Sequence, residues 1–222
     1  LGLVFKELGE FQKAISCYEK AIKINPNFAG AHNNLGNVLK DRGALKEALA
    51  AYESVLVLQP DHIMATLNLA ALHRQNGKMN VAFDSLAAIN SIAGGVAAYQ
   101  NEMGLTHLFV GQPYEAGQFF KAALSIDPTN SDYLNNLGLS LRDRGRLNEA
   151  IAAYNLAVEL SPQGGEARWN RSISHLMMNN WEKGLSDWQW RHHHSAFQER
   201  NLPQPLWAGC KLREGSLLIH SE

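Results

Sequence analysis

Apolar residues recur along the chain at helical spacing, in stretches that come in pairs with a glycine between the two members of each pair. That glycine stands at Gly9, Gly43, Gly77, Gly111 and Gly145, each 34 residues after the last. A small residue follows at Ala14, Ala48, Ala82, Ala116 and Ala150, with Gly184 closing the series. A large residue comes next at Tyr18, Tyr52, Leu86, Phe120, Tyr154 and Trp188. Proline falls at Pro26, Pro60, Pro128 and Pro162, and Gly94 breaks that column. Leu1-Gly2, Leu35-Gly36, Leu69-Ala70, Met103-Gly104 and Leu137-Gly138 form another. Six columns in one register predict a repeated pair of helices.

Each column has a physical role. The glycine between the stretches reverses the chain. Gly36 on the first helix and Ala48 on the second let the pair approach closely, and Tyr52 fills the space beside them. Pro60 stops the second helix before the next unit. One helical pair cannot bury both its faces, so stability requires stacking on neighbours and the fold is quasi-one-dimensional.

The columns resemble those of the tetratricopeptide repeat. The resemblance implies an all-α, right-handed superhelix of about six helical pairs. The units run 29–62, 63–96, 97–130, 131–164 and 165–195, with a truncated one at 1–28 and a non-repeat tail over 196–222. The unit 63–96 is degenerate, with Leu86 in place of the aromatic and Ala93-Gly94-Gly95 in place of the proline turn. The sixth departs too, with Arg171-Ser172 for Leu-Gly and Asn179 for the turn glycine.

A further column is polar. Asn34, Asn68, Asn136 and Asn170 share one position on the first helix, and Glu102 occupies the fifth place in the series. Asparagine is a mediocre helix former and costs a few tenths of a kcal/mol each time. Its amide offers donors and an acceptor that match the backbone of an extended peptide. Stacked helices stand about 8–10 Å apart, or about three residues of extended chain. The column resembles the asparagine ladder in the repeats of O-linked N-acetylglucosamine transferase, where it contacts the polypeptide substrate. That resemblance implies that Asn34, Asn68, Glu102, Asn136 and Asn170 line a concave peptide-binding groove. Asn33, Asn101 and Asn135 are adjacent polar candidates, and Trp169 adds an aromatic. The alternatives are that the asparagines bond across neighbouring repeats, or that repetition copied them.

The tail reads differently. Pro203 and Pro205 bracket a loop, and Ser216-Leu-Leu-Ile-His220 reads as a short apolar strand. Together with Trp169-Asn-Arg-Ser172 and Trp188-Gln-Trp-Arg191, the segment Pro205-Leu-Trp-Ala-Gly209 resembles a junction in bacterial proteins. Those proteins join such repeats to a glycosyltransferase-like domain related to heptosyltransferases. Leu1 in place of Met and the abrupt end at Glu222 read as a fragment of a longer protein.

Composition narrows the chemistry. Twenty Lys+Arg against 21 Asp+Glu give a net charge of −1, which excludes an electrostatically driven nucleic-acid binder. No run of about 18 apolar residues exists, so no membrane insertion is expected. Cys17 and Cys210 have no metal-ligand spacing and read as free thiols in a reducing compartment, which places the chain in the cytoplasm. His73, His107 and His175 share a repeat position and read as packing residues, and His192-His-His194 reads as a solvated helix end. Asn170-Arg-Ser172 matches a glycosylation acceptor but falls within a helix. No catalytic motif appears, so no cofactor, metal or enzyme activity is expected of these residues. The expected function is a scaffold that binds a protein or peptide partner in the concave groove. It is either the recognition arm of a glycosyltransferase-like parent, a stand-alone adaptor, or a scaffold that homo-associates through its exposed ends.

Overall fold

A computed structural model describes residues 1–188 and 190. The expected strand over 216–220, the His192-His-His194 run and the tail over 196–222 lie outside those residues. Thirteen helices are described and no strand is present among the described residues. They form six pairs. The first helices are α1 (Gly2–Glu7), α3 (Ala29–Asp41), α5 (Ile63–Gln75), α8 (Ala97–Phe109), α10 (Ser131–Asp143) and α12 (Gly165–Met177). The second helices are α2 (Phe11–Ile24), α4 (Leu45–Leu58), α6 (Met79–Ala88), α9 (Pro113–Ile126), α11 (Leu147–Leu160) and α13 (Trp181–Trp188), and α7 (Asn90–Ala93) is a short extra turn. No described helix is long and apolar enough to cross a membrane.

The turn inside each pair is built the same way six times. In the fifth unit the amide of Gly145 donates to Arg142 O at 2.8 Å and that of Arg146 to Leu141 O at 2.9 Å. This paired closure satisfies the last carbonyls of the first helix and requires a left-handed residue between them. The five glycines hold φ of 72° to 82°, and Asn179 takes the same place in the sixth unit at φ 58°. Asparagine is the non-glycine residue best suited to that region, because its short amide bonds locally.

Close approach within each pair sets the next column. A Cβ added to Gly104 would stand 2.5 Å from Cε1 of Phe120, and Gly36 meets Tyr52 in the same way at 2.6 Å. The ring of the second helix therefore lies flat on the bare backbone of the first. In the third unit Ala70 replaces the glycine and Leu86 the ring, and both are fully buried. The methyl and the smaller side chain exchange volume between the helices.

The third unit also ends differently. Its second helix stops at Ala88 after 10 residues, where α4, α9 and α11 run for 14. The short α7 fills the gap, and Tyr99 Oη donates to Asn90 Oδ1 at 3.0 Å. Gly94-Gly95 stands where other units carry the proline connection.

Each second helix packs on the first helix of the following unit, giving a continuous core that runs through local clusters. Successive first helices also touch directly from α5 through α8 and α10 to α12, and successive second helices meet less. Elements on the inside of a curve stand closer together, so the first helices form the inner layer.

Candidate functional site

Helical geometry defines the face these inner helices present. At about 100° per residue, the second, fifth, sixth, ninth, twelfth and thirteenth positions share an arc of about 120°. The third, tenth and eleventh positions turn towards the core, as with Ala65, Leu72 and His73 on α5, all buried. The asparagine column occupies the sixth position, at one edge of the arc, and the ninth position lies at its middle.

The column forms a seam between units. Asn136 Nδ2 donates to Asn101 Oδ1 at 2.8 Å, and one unit later Asn170 Nδ2 donates to Asn135 Oδ1 at 2.9 Å. Asn68 Nδ2 donates instead to Asn37 Oδ1 at 3.1 Å, and that oxygen also accepts from Tyr52 Oη at 2.7 Å. Bonding across neighbouring repeats, one of the readings open from the sequence, is therefore what the structure displays for these three residues. An amide has two N–H groups and two acceptor lone pairs, so the one or two bonds that each of these makes leave further capacity. The bonds fix each amide plane and aim what remains.

A second set of residues completes the seam. Lys40 Nζ donates to Asn68 Oδ1 at 3.1 Å, Arg74 Nε to Glu102 Oε1 at 3.0 Å, and Arg142 Nη1 to Asn170 Oδ1 at 3.5 Å. In each case the base comes from the preceding unit, 28 residues earlier. Sequence reasoning passed over these bases and Asn37, although Lys40, Arg74 and Arg142 share one column and their recurrence was visible. Glu102 is buried, and burial pushes its carboxyl above the usual range while Arg74 and then Lys40 oppose that shift. It closes the seam as an ion pair where its neighbours use amides.

The remaining candidates sit as follows. Asn34 lines a pocket of about 490 Å³ at the N-terminal end, beside Tyr18, Ile24 and Phe28. Asn33 is half-buried, and its Oδ1 is a buried acceptor with no hydrogen-bond partner. Trp169 lies against Trp188, with ring centroids 4.7 Å apart. His73 is buried, His107 packs between Phe83 and Phe119, and His175 is half-buried, held below its usual pKa mainly by burial. Arg42 donates to Gln12 on the exposed turn, and Arg144 lies over the Tyr114 ring.

The sixth unit changes its core. Arg171 stands where other units have Leu or Met, and Asp187 where α4 and α11 have Ala51 and Ala153. They form a two-pronged ion pair at 2.6 and 2.9 Å, and Arg171 Nη1 also donates to Asn155 Oδ1 at 2.8 Å. This polar cluster lines a pocket of about 360 Å³.

Models of the tetratricopeptide repeat match residues 2–41, 29–59, 97–130 and 119–152. The peroxisomal targeting signal receptor of Eremothecium gossypii is 40% identical over 57 residues, which is 26% of this chain and 10% of that protein. The chain thus spans about a tenth of the curated relative it matches. Among solved structures, a chain of the APC/C hetero-tetramer Cut9-Hcn1 matches with a TM-score of 0.80 at 18% identity, covering 85% of this chain and 38% of that one. YrrB, described as a TPR protein with an unusual peptide-binding site, matches with a TM-score of 0.53 at 21% identity, covering 78% of this chain and 89% of that one. The chain carries tetratricopeptide repeats and has their fold.

Proposed function

We propose that this tetratricopeptide-repeat solenoid is a protein-interaction scaffold that holds an extended peptide along the arc of its inner helices. The carrying observation is the seam of amides at Asn101–Asn136 and Asn135–Asn170, oriented by bonds across units and retaining spare donors and acceptors. Each hydrogen bond to a peptide backbone contributes about 0.5–1.5 kcal/mol net, so single sites are weak and the row supplies the affinity. The curated relative is a receptor by name, which supports recognition of another molecule. Asn34→Ala, Asn68→Ala, Asn136→Ala and Asn170→Ala combined should weaken peptide binding at least tenfold in titration calorimetry. Unchanged affinity with unchanged helicity would sink this reading.

The units proposed for this scaffold are those read from the columns, 29–62 to 165–195. The tail motif Pro205-Leu-Trp-Ala-Gly209 supports a finer version, in which the scaffold is the recognition arm of a glycosyltransferase-like parent in the cytoplasm. Sequencing the source gene beyond the codon for Glu222 tests that version: alternating strands and helices after a Gly-rich loop support it, and a nearby stop codon overturns it.

A second reading is self-association through the N-terminal end. Leu1, Ile24 and Phe28 are 84%, 86% and 51% exposed around the N-terminal pocket. A sedimentation coefficient that rises with concentration, and stops rising in Ile24→Glu, is the expected result. A constant monomer mass would refute it.

A further inference from the structure

The arc changes character along the solenoid. In the second and third units its ninth and thirteenth positions are Asn37, Asp41, Ala71 and Gln75. In the fourth to sixth they include Leu105, Phe109, Leu139, Ile173 and Met177. Phe109 and Met177 are 57% and 56% exposed, and Leu105, Leu139 and Ile173 are half-buried. Large apolar side chains therefore recur on three successive units, beside amides that keep unused hydrogen-bonding capacity.

The charges on the same arc exclude one kind of ligand. In the second to sixth units its three cations are Lys40, Arg74 and Arg142, against five carboxylates at Asp41, Glu102, Asp132, Asp143 and Glu166. Each cation is engaged within the solenoid. Lys40 bonds Asn68, Arg74 pairs with Glu102, and Arg142 donates to Asp143 at 3.1 Å and to Asn170. Over units four to six the arc carries Arg142, paired with Asp143, against four carboxylates at Glu102, Asp132, Asp143 and Glu166, so a free carboxylate or an acidic side chain laid there would meet net negative charge.

Spacing adds a period. Packed helices stand about 8–10 Å apart. A polyproline-type extended chain rises about 3.1 Å per residue with three residues per turn, which returns to the same face after about 9 Å. One ligand side chain in three would then meet each successive unit.

Resting on the peptide-binding reading above, we infer that units four to six hold an internal, extended segment of a partner protein. That segment lacks acidic groups and carries a large apolar side chain at every third residue. The apolar contacts set specificity, and the amides of Asn101, Asn135 and Asn136 hold the backbone.

The test is selection on the full 222-residue chain from two phage-displayed libraries of random dodecapeptides. One library is embedded between flanking sequence, and the other ends in a free carboxylate. We expect enrichment from the embedded library, with apolar residues three apart and few Asp or Glu. Enriched peptides, remade synthetically with blocked ends, should lose at least tenfold in affinity to both Leu105→Asp and Leu139→Asp. The same peptides should lose less than twofold to Leu156→Asp, an exposed leucine on the second helix α11 and off the arc, with native circular dichroism in all three variants. Enrichment confined to the free-carboxylate library, an acidic consensus, a period other than three, or indifference to the two leucine variants overturns the inference and leaves peptide binding standing. Enrichment from neither library overturns the peptide-binding reading and this inference together.

Discussion

Gly104→Ala and Phe120→Leu, made singly and together, test whether the glycine and the ring facing it act as one unit. A Cβ at position 104 would stand 2.5 Å from the ring, against roughly 3.5–4.0 Å for a relaxed carbon contact. The ring must shift by about 1 Å within a fully buried site. Overpacking of that kind costs about 1–3 kcal/mol, and alanine recovers about 0.5–1 kcal/mol over glycine inside a helix. Phe120→Leu alone should cost roughly 1–3 kcal/mol, because complete truncation of a buried phenylalanine to alanine costs about 3–5. The double variant recreates the Ala70–Leu86 arrangement that the third unit already packs with both residues fully buried. Its cost should therefore fall below the sum of the singles by about 1–3 kcal/mol, the range for residues in direct contact. Urea unfolding followed by far-ultraviolet circular dichroism reads this as a shift in midpoint at constant slope, after confirming a single transition. Costs that add to within about 0.5 kcal/mol would refute the idea that the two columns exchange volume.

Substitutions at two other sites, His73 and the Arg171–Asp187 pair, probe the buried polar residues. Burial, then Lys78, holds His73 below its ordinary pKa of 6.5, with Glu53 opposing. The unfolded chain therefore takes up the proton first. The stability from neutral His73 is complete above pH 6.5 and is lost as pH falls towards the folded value. His73→Leu, the residue at this position in the second and fifth units, should flatten the fall in melting temperature between about pH 7 and 5.5, and parallel slopes would refute this. Arg171→Leu or Asp187→Ala alone leaves one charge of a nearly buried pair unmatched and should cost about 3 kcal/mol in urea unfolding. The double variant restores the apolar residues of other units and should come within about 1 kcal/mol of the parent; equal loss in all three would show that the pair's worth exceeds its desolvation.

Local backbone devices were legible in the sequence, because a turn depends on the few residues that make it. Gly145 marks a left-handed turn in isolation, and its 34-residue recurrence marks a stack. Asn179 was visible as the substitute in the sixth unit, and its φ shows why asparagine suffices. The second helix of the third unit was harder. Leu86 and Gly94-Gly95 signalled a departure, but the early stop at Ala88 and the added α7 depend on how Tyr99 and Asn90 meet across the connection.

The repeat columns by themselves determined that the repeats are helical, how their helices pair, and which residues lie between them. Those facts follow from 3.6-residue periodicity, turn chemistry and volume, all written within one unit. Only the tertiary structure decided how the asparagine column is used. Asn136 finds Asn101, Asn170 finds Asn135, and Glu102 finds Arg74 because stacking sets neighbouring inner helices side by side. An amide's partner is a matter of distance and direction between units. No spacing along one helix specifies which donor arrives from the next.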